Sequence, residues 1–310
     1  MNEKLKANLS PLLLWGTALI WGFAFVAQSV ASSIGAFTIC AVRNGFAAIF
    51  LFLVIPLLDK ATGNNRRLWK KSENQTPPFT KQELIGGICI GSALALAGPI
   101  QQLGMNMGTD PGKSAFISAL YVIIVPIFSL VLKKRSPINV WISVFIAIVG
   151  FYVLCVDRSF NIQTSDLLVF ISACAFSLHI MIIDRFSKEC DGARLSAIQF
   201  TTASAICCVL ALIFDFPINF ILIGENILPL LYLGVFSGGI AYTLQIIGQK
   251  NTKPAAASLI LSLESVFGAL FSALALGSIL TLREYIGGCI VFLAVVLSQL
   301  NFNKNSLICK

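Results

Sequence analysis

Averaged over windows of ~19 residues, the hydrophobic positions of this chain gather into apolar stretches separated by short polar segments. Ten such stretches run at about 11–30, 38–58, 84–107, 113–132, 138–156, 166–186, 195–214, 227–248, 254–276 and 282–301. Most are long enough to cross the ~30 Å hydrocarbon layer as a helix. Each is apolar all round, without the alternation over ~10 residues that marks a barrel strand. The pattern predicts an all-α integral membrane protein with ten transmembrane helices.

The polar segments carry a second signal. Of the 22 Lys and Arg residues, 18 fall in alternate loops or at the termini, from Lys4 and Lys6 through Lys60, Arg66 and Arg67 to Lys304 and Lys310. The other set of loops holds only Lys113, Arg158 and Arg283, and Arg43 lies inside a span. Because basic loops stay cytoplasmic, both termini are expected in the cytoplasm of a cell with this chain in its inner or plasma membrane. The first apolar run exceeds a signal-peptide core, so it reads as an uncleaved first helix. The longest polar stretch, 59–83, reads as a cytoplasmic loop too short to be a domain.

Composition narrows the class further. With 57% hydrophobic and 12% charged residues and a mean hydropathy of +0.86, the chain is too apolar for a soluble protein of 310 residues. The net charge of +8 does not indicate nucleic acid, since the basic residues cap helix ends instead of forming one groove-reading face. Nine cysteines are scattered without a CxxC pair or a histidine at ligand spacing, so neither a metal nor a cofactor is expected. No GxxxxGK[ST] loop is present to bind a nucleotide.

The chain also repeats itself. Gln101 and Gln245, Gly104 and Gly248, Ser114 and Ser258, and Ser118 and Ser262 are each separated by 144 positions. Nearer the start of each half the offset grows to about 155, setting Trp21 opposite Phe176 and Arg43 opposite Gln199. Two five-helix units, 12–156 and 166–301, follow from this register. An odd number of helices per unit inverts the second unit relative to the first, and inverted repeats permit alternating access to a central site.

Several stretches resemble the drug/metabolite transporter superfamily, specifically its EamA-type branch. They are Leu19-Ile20-Trp21-Gly22-Phe23, Ala41-Val42-Arg43-Asn44, the run from Gly112 to Tyr121, Tyr232-Leu233-Gly234-Val235-Phe236-Ser237, and the run from Pro254 to Glu264. The resemblance implies ten helices in two inverted five-helix repeats and a class of small-metabolite carriers, many of them exporters. Two positions depart from the family pattern. Ser265 stands where similar proteins often have Pro, which predicts a straighter ninth helix, and Leu276-Gly277-Ser278 replaces a Leu-Gly-Glu ending.

Candidate site residues follow from polarity inside the spans. Glu264 sits about ten residues into the ninth span, where a carboxylate is costly and marks a function by default. It is a candidate proton carrier, exposed to water in one state and desolvated in another, as is the single histidine, His179. Ser258 and Ser262 share a face, and Ser114, Ser118 and Tyr121 form the matching face of the fourth span. Gln101, Tyr242 and Gln245 carry amide and phenol groups that need interior partners. Together with Trp21 these are the candidate substrate contacts. Arg43 could hold an anion or cap a loop carbonyl, while Gly87xxxGly91 and Gly234xxxGly238 read as close-packing sites.

These features point to a secondary transporter of a small organic solute, with amino acids, nucleosides and drug-like molecules equally compatible. An integral membrane enzyme acting on a lipid would need a clustered acid, base or metal site. A receptor or assembly factor would need a substantial soluble domain, and no loop is long enough for one.

Overall fold

The computed structural model describes residues 3–63, 77–133, 137–155, 163–276 and 281–299. Every regular element among the described residues is a helix. The helices are α1 (Glu3–Val30), α2 (Ala36–Thr62), α3 (Lys81–Asn106), α4 (Pro111–Ala119), α5 (Tyr121–Val131), α6 (Ile138–Cys155) and α7 (Thr164–Phe186). They continue with α8 (Gly192–Phe214), α9 (Phe220–Glu225), α10 (Ile227–Leu231), α11 (Thr243–Gln249), α12 (Pro254–Leu261), α13 (Glu264–Leu276) and α14 (Leu282–Gln299). A π-helical stretch, Tyr232–Tyr242, joins α10 to α11.

Among the described residues, eight of the apolar segments are long enough to cross a membrane, counting α4–α5, α10–α11 and α12–α13 as one each; Ile138–Val153 and Tyr285–Ser298 are apolar but shorter. Burial is inside-out relative to a water-soluble protein. Leu53, Leu57, Val131, Phe145, Leu212 and Phe220 are exposed, whereas Gln102, Gln199, Gln249 and Ser172 are buried. An apolar exterior over a polar-studded interior is what hydrocarbon surroundings select. The chain is a multi-pass membrane protein.

The packing follows small residues. α3 lies against α7 and α8, α2 against α8 and the π-helical stretch, α1 against α13, α11 and the π-helical stretch, and α6 against α14. A Cβ added at Gly87 would come within 2.5 Å of Ile198, and one at Gly91 within 2.5 Å of the Gln199 carbonyl. A Cβ at Gly234 would meet Phe46 at 2.5 Å, and one at Gly238 would meet Ala47 at 2.8 Å. Both glycine pairs therefore are close-packing sites, as their spacing predicts.

The ninth span departs from expectation. Without a proline it should run straight, yet it is interrupted between Leu261 and Glu264, and a short bond from Leu263 N–H to Ile260 O tightens the turn. Three serines back-bond along this stretch. Ser258, Ser262 and Ser265 donate their hydroxyls to the carbonyls of Ala255, Leu259 and Ser262 at 3.0, 2.7 and 2.7 Å. Such back-bonding competes with the i→i−4 ladder and bends helices. Of the Leu276-Gly277-Ser278 departure, Gly277 and Ser278 lie outside the described residues, as does most of the 59–83 loop.

The two ends of the bundle are tied differently. At one end, Asp215 accepts from the backbone N–H and hydroxyl of Thr38 at 2.7 and 2.9 Å, capping α2 from the end of α8. At the other, Arg194 Nη2 donates to both Asp59 carboxylate oxygens at 3.0 and 2.8 Å, and its Nε donates to Pro78 O at 2.8 Å. This buried pair binds the end of α2, the start of α8 and the chain entering α3.

Candidate functional site

One face of α1 sets the site. Trp21, Phe25 and Gln28 follow one another at i, i+4 and i+7, so all three project the same way. They border a narrow, partly open cavity. α2 contributes Arg43, α3 Gln101, α7 Phe176, and the π-helical stretch Ser237 and Tyr242. Ser118, Tyr121 and Glu264 complete the wall. Tyr121 is the first residue of α5 and Glu264 the first of α13, so both follow an interruption in a span.

The π-helical stretch places the wall by exposing its carbonyls. Trp21 Nε1 donates to Ser237 O at 3.2 Å, Thr17 Oγ1 to Ala241 O at 3.0 Å, and Thr243 Oγ1 to Gly239 O at 2.6 Å. Gly238 and Gly239 let α2 approach it closely. π-Helical turns often mark functional sites because they re-aim side chains that a regular helix would place elsewhere.

Tyr242 closes one end. Its ring packs against Trp21 at 4.6 Å, Phe200 at 5.4 Å and His179 at 5.6 Å between centroids. One turn further along, Ile246 and Ile247 border a second recess with Asp59, Arg194 and Lys250, at the end sealed by the buried ion pair. The aromatic cluster therefore separates the two spaces.

The cavity's charges are few and opposed. Glu264 is 4% exposed, and the Tyr121 hydroxyl lies near its carboxyl without completing a hydrogen bond. Arg43 is 8% exposed, donates from Nη1 to Gln28 Oε1 at 3.2 Å, and pairs with no carboxylate among the described residues. Gln101 Nε2 donates to Ser118 Oγ at 2.7 Å, presenting a joined amide and hydroxyl. No group of His, Cys, Asp and Glu among the described residues could hold a metal ion.

Residues 163–300 match the model of the EamA-like transporter family. An "uncharacterized transporter" of Archaeoglobus fulgidus is 31% identical over 303 residues, covering 96% of this chain and 87% of that protein. The chain belongs to the EamA-like transporter family. A crystal structure at 15% identity aligns over 94% of this chain and 96% of its own, with a TM-score of 0.72, and shares the fold.

In this EamA-like transporter, seven of the polar and aromatic residues singled out in the sequence meet at one cavity: Trp21, Arg43, Gln101, Ser118, Tyr121, Tyr242 and Glu264. The rest lie behind its wall in this conformation. The hydroxyls of Ser258 and Ser262 are spent on helix carbonyls. The Ser114 hydroxyl, Gln245 Oε1 and His179 Nε2 are buried without a hydrogen-bond partner among the described atoms, and His179 faces Gln199, whose amide oxygen and nitrogen are also unpaired. Gln28, Phe176 and Ser237 belong to the cavity but were not among the candidates. The α1 periodicity from Trp21 could have found Gln28, and the 155-residue offset from Trp21 could have found Phe176.

Proposed function

We propose that this transporter is a secondary-active carrier that moves a small organic solute, outward from the cell, by alternating access through the Trp21–Glu264 cavity. The observation that carries the reading is the cavity itself. It is a polar and aromatic space enclosed by membrane-crossing helices, with one end closed by Tyr242 and its neighbours.

Ten helices in two inverted units, 12–156 and 166–301, account for the packing. The second helix of one unit meets the second of the other (α2 with α8), and the fifth meets the fifth (α6 with α14). The first meets the fourth in both directions, as α1 with α13 and α7 with α4 and α5. Both fourth helices are interrupted, after Ala119 and after Leu261. These reciprocal pairings support a pseudo-two-fold relation.

The same relation supports alternation. Arg43, Gln101 and Ser118 border the cavity, while their counterparts Gln199, Gln245 and Ser262 are sealed behind it. Gln199 and Gln245 leave buried amide atoms unpaired in the protein, a cost that exchange of the two units' conformations would relieve. With cytoplasmic termini, the cavity faces outward and the Asp59–Arg194 pair closes the cytoplasmic side.

Glu264 and His179 are the groups proposed for proton coupling. Glu264 borders the solute space, and His179 stands behind Tyr242. The test is flux in proteoliposomes under an imposed pH gradient, screened over amino acids, nucleosides and cationic drugs. The expected result is gradient-driven accumulation of one class, lost in Glu264→Gln while solute exchange persists. Flux that ignores both the gradient and Glu264→Gln would sink the coupling, and absence of flux for every class would sink the carrier reading.

A further inference from the structure

Arg43 is the charge that the solute reading leaves without a role. It lies about two turns into α2, buried inside the bundle, where a guanidinium has little access to water. Guanidinium carries five N–H donors in a planar fork suited to a two-oxygen acceptor. Gln28 Oε1 takes one of them, and the neighbouring group on α2 is the Cys40 thiol, a weak acceptor. The guanidinium borders the cavity, and no carboxylate pairs with it among the described residues.

We propose that Arg43 recognises an anion, and that the carried solute bears a single carboxylate on an aromatic or apolar body. The assignment rests on reading the cavity as the solute site. Arg43 is the cavity's one cationic lining residue among those described, so it can pair with one carboxylate, and the site closes to neutrality when Glu264 on the same wall is protonated or when the solute carries an ammonium. A phosphate dianion would bring two charges to one guanidinium beside an acid. The body follows from the surfaces between the two charges, where Trp21, Phe176 and Tyr242 offer ring faces and edges. An amino group on the solute is compatible, with Glu264 as its partner, but the carboxylate is the required feature.

Gly98 keeps the guanidinium in place. A Cβ there would stand 2.9 Å from Arg43 Nη2 and 3.6 Å from the Cys40 sulfur. Since the obstructed atom is the end of a flexible side chain, Gly98→Ala moves the charge and leaves the helix packing intact. It is thus a second probe of the same site that retains the arginine.

The experiment measures thermal unfolding of the purified full chain with four probes sharing one benzene ring: 3-phenylpropanoate, phenylalanine, phenethylamine and 3-phenylpropan-1-ol. A ligand that binds the folded state raises the unfolding temperature with concentration. The two carboxylate probes should stabilise the protein and the amine and alcohol should not. Losing charge-assisted hydrogen bonds in Arg43→Gln should weaken the apparent affinity roughly 10- to 100-fold. Gly98→Ala should weaken it too, with unliganded stability and elution volume unchanged. Stabilisation by phenethylamine or the alcohol equal to that of the carboxylates, or by none of the four, would overturn the assignment, as would full affinity in a folded Arg43→Gln. Carboxylate-selective binding without liposome flux of the bound probe would support Arg43 and refute the carrier reading; flux of a cationic drug without carboxylate selectivity would do the reverse.

Discussion

Removing the carboxylate of Asp59 should destabilise the protein by about 3–5 kcal/mol, the cost of stripping one member from a buried ion pair. The structure sets where in that range the value falls. The Arg194 and Asp59 side chains are 2% and 8% exposed, and both carboxylate oxygens are engaged, so only the recess that the pair borders gives water a route to the lost contact. Arg194 keeps its bond to Pro78 O and a longer approach to Asp191 at 3.7 Å, which places Asp59→Ala at the lower end, about 3 kcal/mol. Unfolding free energies from denaturant titration in detergent micelles would measure it. The companion is the double variant Asp59→Leu with Arg194→Met, which removes both charges and fills the space. It should be far more stable than the sum of the single variants, because neither charge is left buried. A loss under 1 kcal/mol for Asp59→Ala, or strict additivity in the double variant, would refute the claim that this pair is desolvated and holds α2, α8 and the chain entering α3 together.

Two further outcomes follow from the packing and the helix ends. Gly22→Ala puts a methyl 2.4 Å from Phe267 Cβ and 2.8 Å from its backbone, so α1 and α13 must part, at about 1–3 kcal/mol. Gly16→Ala meets only Leu244 at 3.8 Å and should instead be neutral or stabilising by up to about 1 kcal/mol through helix propensity, a contrast that melting of the two variants would read directly. Asp215→Ala removes the cap that Thr38 N–H and Oγ rely on and should cost about 1 kcal/mol; Gly35→Ala, whose Cβ would overlap the same carboxylate, should cost at least as much, and equal stability of both to the parent would remove the cap from the account.

Much of the architecture could be read in the residues because bilayer thickness dictates length. The apolar runs at 84–107 and 195–214 coincide closely with α3 and α8, and the 144-residue offset that pairs Ser118 with Ser262 also pairs the two interrupted helices. The interruption itself was hidden, since no proline or glycine marks residues 262–263 in the sequence. The π-helical stretch was hidden as well: Gly238-Gly239 signals close packing, and only the three-dimensional fit to α1 and α2 decides that the ladder widens there. Within the site, the acid was read more firmly than the base. The rule that singles out Glu264, a charge inside a span, applies equally to Arg43. Arg43 stays ambiguous in the sequence because a loop carbonyl could have satisfied it; the structure gives it Gln28 as a partner and a place in the cavity wall.

The most direct test of alternating access is the sidedness of two positions related by the repeat, Ser118→Cys and Gln245→Cys, each in a background with the nine native cysteines replaced. A membrane-impermeant thiol reagent is applied from either face of the membrane, at rest and during solute exchange. The account expects labelling at position 118 from outside at rest, protection at 245, and labelling at 245 from the cytoplasmic side once exchange begins. Simultaneous access to both positions, or protection of 245 under every condition that supports flux, would contradict it.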